Sequence, residues 1–247
     1  HGMTRITITS DTDTLVLNGN RTWEAGDRRL ILKKDGVKGL YGSPNIREKP
    51  LDRPQMDGAY WPSRLTQESR TITLDAFAHG LSSVETMNLI DRLNALTGRA
   101  LTVLVEDSAG RRTLSGWLAA DPEPLMLVTQ RHFEFALIIT CPDPYKYGEW
   151  LWQAPQSGRV RVDNTGTAPT WLQFRASSRI TRLHAVWGDA EIEWEGDTAS
   201  LTLDTRDMIP SAGQVTADWA LPVQPGKTQL TIRTDCSTLE VGIRPAW

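Results

Sequence analysis

A mainly β protein of the α+β class, built as two domains, is what the sequence predicts, and three observations carry the prediction. Apolar and polar residues alternate over 71–77 and 133–139 at the period of two that turns one face of a strand toward a core. A single segment, about 83–97, combines helical spacing with a capping signal. Beyond residue 157 only short alternating runs remain, separated by glycine-containing turns, which is the pattern of a β-sandwich.

With 247 residues, the chain has the length of two ordinary domains. The breaks at Pro142, Pro144, Gly148, Pro155 and Gly158 place a boundary near Ser157, giving domains over 1–156 and 157–247. His1 and Gly2 ahead of Met3 read as the remnant of an expression tag. The stretch 38–62 breaks into Gly39, Gly42, Pro44, Pro50, Pro54, Gly58 and Pro62 among charges, too long for an ordinary connection. It is either disordered or a contact arm, whose contacts would fall to Tyr41, Arg47, Arg53, Tyr60 and Trp61.

In 71–77, Ile72, Leu74 and Ala76 share one face. Ser82 with Glu85 forms a capping box, Val84, Met87, Ile90, Leu93 and Leu96 form the expected apolar stripe, and Gly98 supplies the stop. The run 101–105, the turn residues Asp107, Ser108, Ala109 and Gly110, and the run 112–118 make a hairpin. The segment 125–140 reads as one long strand, bent midway. In the second domain the runs 171–174, Ile180–Trp187, 190–194, 201–203, 230–232 and 239–243 read as strands, with tight turns expected at Gly188-Asp189 and Gly196-Asp197.

Net charge is −3, from 27 Lys and Arg against 30 Asp and Glu, with no basic run, so attraction to phosphate backbones is disfavoured. No membrane helix or signal pattern is evident, which predicts a soluble protein made in the cytoplasm. Cys141 and Cys236 are too few for a disulfide framework and read as reduced thiols. No nucleophile elbow, phosphate loop or zinc motif occurs, and His79, His132 and His184 stand alone in sequence, so no catalytic, metal-binding or cofactor-binding residue is assigned. Glu191, Glu193 and Glu195 alternate with Ile192 and Trp194, the pattern of a solvated strand face rather than of a glycosidase pair. Asp204, Thr205, Arg206 and Asp207 read as a surface corner. The sequon Asn20-Arg21-Thr22 carries no weight without a secretory signal.

The most specific segment is the strand 133–140 running into Cys141-Pro142-Asp143-Pro144-Tyr145, where each proline withdraws a ladder donor and Asp143 can bond back to fix the turn. This strand with its terminator resembles the close of the N-terminal domain in the distal tail (Dit-like) proteins of long-tailed, non-contractile bacteriophages. Upstream, 69–74, the capped helix and the hairpin follow that family's order. Downstream, 162–169, 201–205 and 221–227 resemble the entry and later strands of its second domain. The resemblance spans the chain from about Leu30.

It implies a barrel-like, ring-forming N-terminal domain and a galectin-like sandwich. It further implies a structural hub at the distal end of the virion tail, a homo-hexameric ring between the tail tube protein and the tail-tip or tail-associated hub protein. The tape measure protein is a further implied partner, and DNA meets the ring only in transit through a central channel, for which an acidic chain is suited. No enzyme activity, cofactor or membrane contact is implied. The competing reading is a carbohydrate-binding module contacting host glycans, because seven tryptophans, Trp150 and Trp152 among them, fall in the last two fifths of the chain. Against it, Trp171 and Trp187 lie in apolar strand patterns, while Trp150 and Trp152 in the linker read as interdomain or subunit contacts.

Overall fold

The computed structural model describes residues 4–19, 30–79, 81–126 and 130–247; residues 1–3, the sequon and part of the long-strand segment lie outside these. Its contacts divide the chain into two compact units, 1–144 and 145–247.

The first unit opens with strands β1 (Arg5–Thr9), β2 (Thr14–Asn18), β3 (Leu30–Lys38) and β4 (Arg70–His79). Helix α1 (Ser83–Asn94) follows, then β5 (Leu101–Asp107), β6 (Gly110–Leu118), β7 (Leu125–Met126) and β8 (His132–Cys141). The strands run β4-β3-β2-β1-β5-β6-β8, and β8 pairs back onto β4 to close a seven-stranded barrel. The closing ladder is the longest, from Arg70 opposite Cys141 to His79 opposite His132. Period-two alternation sends Ile72, Leu74, Ala76, Phe133, Phe135, Leu137 and Ile139 inward, all at most 4% exposed. Closure removes the free edges that a sheet of this length would otherwise expose.

The hairpin expected through Gly110 is present, with Asp107 opposite Gly110. The long strand expected over 125–140 is two elements instead: β7 folds back on β8, with Leu125 opposite Glu134. Alternation is insensitive to a reversal of direction between two strands that both keep it, which is why the turn escaped sequence reading.

The capping box on α1 is complete, Ser82 Oγ accepting from the Glu85 N–H and Glu85 from the Ser82 N–H. The buried stripe, however, is Thr86, Leu89, Leu93 and Leu96; Val84 and Met87 are 69% and 45% exposed. Two overlapping stripes satisfy helical spacing here, and a hydrogen bond selects between them. Thr86 donates its hydroxyl to the Gln130 carbonyl at 2.7 Å, which lets a polar residue occupy a core position.

The second unit comprises β9 (Leu151–Gln153), β10 (Arg159–Asn164), β11 (Gln173–Ala176), β12 (Ile180–Trp187), β13 (Ala190–Thr198), β14 (Leu201–Asp204), β15 (Gln214–Trp219), β16 (Gly226–Thr234) and β17 (Glu240–Ile243). They form two sheets, ordered β10-β16-β12-β13-β15 and β14-β11-β17-β9. One apolar core fills the space between them, around Phe174, Trp187 and Trp194, with Phe174 on one sheet and Trp187 on the other 6.4 Å apart by ring centroid.

This unit begins at Tyr145, ahead of the boundary expected near Ser157. The reason is local pairing: Lys146 and Trp247 exchange backbone hydrogen bonds at 2.7 and 2.9 Å, and β9 pairs with β17. Prolines that looked like linker punctuation therefore flank a paired edge strand. Gly188 takes φ 54° in the β12–β13 turn as expected. Gly196 is not a turn residue; it lies within β13, where a Cβ would come within 2.7 Å of the Trp194 ring. Its role is to make room for that buried indole.

Among the described residues no helix is long and apolar enough to cross a membrane.

Candidate contact surfaces

The segment 141–145 ends the barrel unit. Cys141 closes β8 with its thiol fully buried, and that burial pushes its pKa up to about 11. Pro144 offers its carbonyl to Arg70 Nε at 2.8 Å. The same guanidinium donates through Nη1 to the carbonyls of Gly39, Leu40 and Gly42 at 2.8, 3.2 and 2.7 Å. Arg70 is only 5% exposed, so this planar cation ties the barrel's exit to the first residues of the 38–62 segment inside the protein. Burial works against its charge, lowering its pKa from the ordinary value. Sequence reading singled out the prolines and passed over Arg70, because a charged residue at the head of an alternating strand gives no sign of inward direction. Tyr145, grouped with the motif by sequence, packs in the second unit against Tyr147, Ala168 and Ala246.

The segment following β3 is an ordered hairpin-like arm. Its two limbs are joined at Asn45 and Glu68, Arg47 and Thr66, Leu51 and Tyr60, and Arg53 and Gly58 by backbone hydrogen bonds of 2.8 to 3.0 Å. Thr66 also donates its hydroxyl and N–H to Glu48, which holds that carboxylate below its usual pKa. Tyr41 donates to Asp107 at 3.0 Å, and the Arg53 guanidinium lies 5.6 Å from the Tyr60 ring centre. The arm presents apolar surface to solvent: Trp61 is 84% exposed, Leu51 69%, Met56 67% and Tyr60 53%.

Trp150 and Trp152 are part of the sandwich unit rather than of a linker. Their rings stack 5.6 Å apart at 25°. Arg175 covers Trp152 at 3.8 Å while reaching Glu240, and Arg244 sits 3.9 Å over Tyr147 and 4.8 Å from Trp150. The ladder exists because β9 places Trp152 opposite Gly242, where no side chain intervenes. Arg175 thus stacks on Trp152 and Arg244 lies beside Trp150, each a cation held against an indole within the second unit.

On the outer face of the five-stranded sheet, Glu191, Glu193 and Glu195 are exposed in a row, as the alternation predicted. His184 Nε2 lies 2.7 Å from Glu191 Oε1. At the rim of the barrel the closing register brings His79 opposite His132, with the Phe77 ring near both. No group of three or more His, Cys, Asp or Glu able to hold a metal ion occurs among the described residues. The most informative residue missed by sequence reading is Trp219, 73% exposed and opposite Glu191.

No protein-family model and no curated protein sequence matches the chain. Solved structures do. The Dit protein of phage SPP1, described as a paradigm of the hub adsorption apparatus in phages infecting Gram-positive bacteria, superimposes with a TM-score of 0.67 at 17% identity. The match covers 98% of this chain and 99% of that one. Chains of the phage p2 baseplate in its activated conformation, with Sr and with Ca, match with a TM-score of 0.60 at 12% identity. These matches cover 98% of this chain and 97% and 98% of those. The chain has the fold of phage distal tail and baseplate hub proteins, and the resemblance drawn from 133–145 is borne out at that level.

Proposed function

We propose that this protein is a structural subunit of the distal end of a phage tail, assembling into a hexameric ring that joins the tail tube to the tail-tip apparatus. The observation that carries this reading is the end-to-end match to the Dit fold, covering 98% of this chain and 99% of that one. In this reading the protein acts as a connector rather than a catalyst. Its partners are further copies of itself, the tail tube protein, the tail-tip hub protein and the tape measure protein. DNA passes through the ring's centre, and the net charge of −3 avoids holding it by phosphate contacts.

The arm is the contact element of this assembly. Tyr41, Arg47, Arg53, Tyr60 and Trp61 lie on a projection whose apolar tip has no partner within the barrel unit's core cluster, which supports docking on a neighbouring subunit. Six-fold symmetry repeats each contact at every interface, so a weak individual patch is enforced by ring closure.

Light scattering coupled to size exclusion, with negative-stain images of the peak across a concentration series, tests the proposal. Rings with an open centre are expected for the wild type, and monomers for a Tyr60→Ala, Trp61→Ala double variant. A chain that stays monomeric at every concentration, and does not incorporate into tails when supplied with a tail tube template, would overturn the ring. Rings that persist unchanged in the double variant would remove the arm from the interface.

A further inference from the structure

We propose that the outer face of the five-stranded sheet is a self-association surface, on which a second copy of this chain packs face to face about a two-fold axis parallel to β12. The pairing registers order this face into columns. On one side, β10 and β16 turn Arg159, Arg161, Lys227 and Arg233 outward, with Asp163 as the carboxylate among them. On the other side, β13 turns out Glu191, Glu193 and Glu195, and the positions paired with them on β15 are Trp219, Ala217 and Gln214, none of them cationic. Between the two halves runs β12, with Arg182, His184 and Val186 outward.

Most of these charges are not satisfied within the chain. His184 holds Glu191 at 2.7 Å. Among the described residues, however, Glu193, Glu195, Arg159, Arg161, Lys227 and Arg233 take part in no ion pair. Their sorting by sign selects the partner. A partner of uniform charge would be repelled by one half of the face. A second copy is attracted by both halves when its acidic columns lie over the basic columns of the first, and an axis along the strands does this. An axis across the strands would put like on like.

Register then names the contacts. Glu193 and Arg233 both stand opposite His184, one strand to either side of β12, so rotation about β12 carries each onto the other's counterpart in the second copy. Arg159 and Trp219 end one transverse row that runs through Thr231, Val186 and Glu191. The same rotation therefore sets the 73% exposed indole against a guanidinium of the second copy. Val186 lies on the axis and meets itself. Shape agrees with charge: Pro155 and Gly158 wall the face beside Arg233, and at the opposite edge a recess of about 540 Å³ is bounded by Glu195, Gly196, Gly213 and Gln214, where two glycines leave room. Exposed ion pairs are individually weak and screened by salt, so the association is salt-dependent. Neighbours in a six-fold ring are not related by this axis, and the contact stands or falls without the ring.

A single cysteine tests the symmetry, because one thiol joins two copies only where it lies near its own symmetry mate. The full chain carrying Val186→Cys, with Cys236→Ser to remove a competing thiol, is treated with a short bismaleimide and resolved on a denaturing gel. A covalent dimer is expected at about 0.05 M salt, with a roughly tenfold lower yield at about 0.5 M. Glu193→Arg and Arg233→Glu, both at exposed positions and checked for fold by circular dichroism, are each expected to lower the yield roughly tenfold when alone. Mixing the two variants should restore it, since each then meets the opposite charge in its partner. No dimer at low salt, a yield indifferent to salt, or a mixture no better than its components would overturn the proposal. Rings seen by negative stain without the cross-link would overturn this contact and leave the ring standing.

Discussion

Arg70 and Pro144 face each other across the closing seam of the barrel, the guanidinium Nε donating to the proline carbonyl at 2.8 Å. Because Nη1 of the same residue also holds Gly39, Leu40 and Gly42, one side chain couples the start of the arm to the end of the barrel unit. Replacing it leaves several carbonyls without a donor in a site only 5% exposed. Arg70→Ala is expected to destabilise the barrel unit by about 3 kcal/mol, since each buried group left unsatisfied costs about 1 to 3 kcal/mol. Arg70→Lys should recover only part of this, because a point ammonium cannot span acceptors spread over two segments. Denaturant unfolding measures both, and hydrogen exchange at residues 39–42 should quicken in step.

A second prediction concerns the aromatic ladder. A Cβ added at Gly242 would sit 2.6 Å from Trp152 Cζ3 and 2.8 Å from Cε3, so the indole must leave its place on the sheet. Gly242→Ala is expected to cost about 1 to 3 kcal/mol, as overpacking does, and to change the near-ultraviolet circular dichroism as Trp152 separates from Arg175. Combining it with Trp152→Ala should recover much of the loss, which a double-mutant cycle would register as coupling of about 1 kcal/mol.

Much of this fold was legible because burial writes itself into alternation: Ile72 to Ala76 and Phe133 to Ile139 point where their spacing says. Three things escaped, each for a physical reason. The β7 turn-back was hidden because alternation carries no sign of strand direction. The start of the second unit was hidden because 145–153 pairs with the C-terminal residues, a contact across about a hundred positions that no local pattern encodes. Arg70 and Trp219 were hidden because direction decides their meaning: one cation turns inward onto carbonyls, and one indole turns outward beside carboxylates. The arm's apolar residues, by contrast, were visible from the start because Gly and Pro exclude them from any strand.

Asp235 supplies a pH dependence. It accepts from the N–H and hydroxyl of Thr181 and from the N–H of Arg182, and these hydrogen bonds lower its pKa from 3.8 to about 2. A carboxylate whose folded pKa is depressed contributes stability that is present above its unfolded value and lost as pH falls through the folded one. Protection of the Thr181 and Arg182 amides is therefore expected to be full above about pH 4 and to fall as pH is lowered toward about 2. In Asp235→Asn that step should vanish. Hydrogen exchange corrected for intrinsic rates is the measurement, and equal protection of the wild type across that window would contradict it.

The two cysteines should separate by reactivity, since the thiolate is the attacking form. Burial holds the Cys141 thiol at about 11 and leaves it 0% exposed beneath the barrel wall. Burial also opposes ionisation of Cys236, but hydrogen bonds with Ser178 and Thr238 outweigh it and hold that thiol below the ordinary value. In native protein at about pH 8, iodoacetamide is expected to modify Cys236 first and to leave Cys141 intact until the barrel opens, with both alkylated in denaturant. Peptide mass spectrometry over time reads the order. Because Cys141 pairs with Arg70 at the head of the β4–β8 ladder, Arg70→Ala should bring Cys141 alkylation forward to native conditions, whereas Gly242→Ala, in the other unit, should not. Simultaneous labelling of both thiols in the wild type would mean that the barrel seam opens far more readily than its buried guanidinium clasp implies.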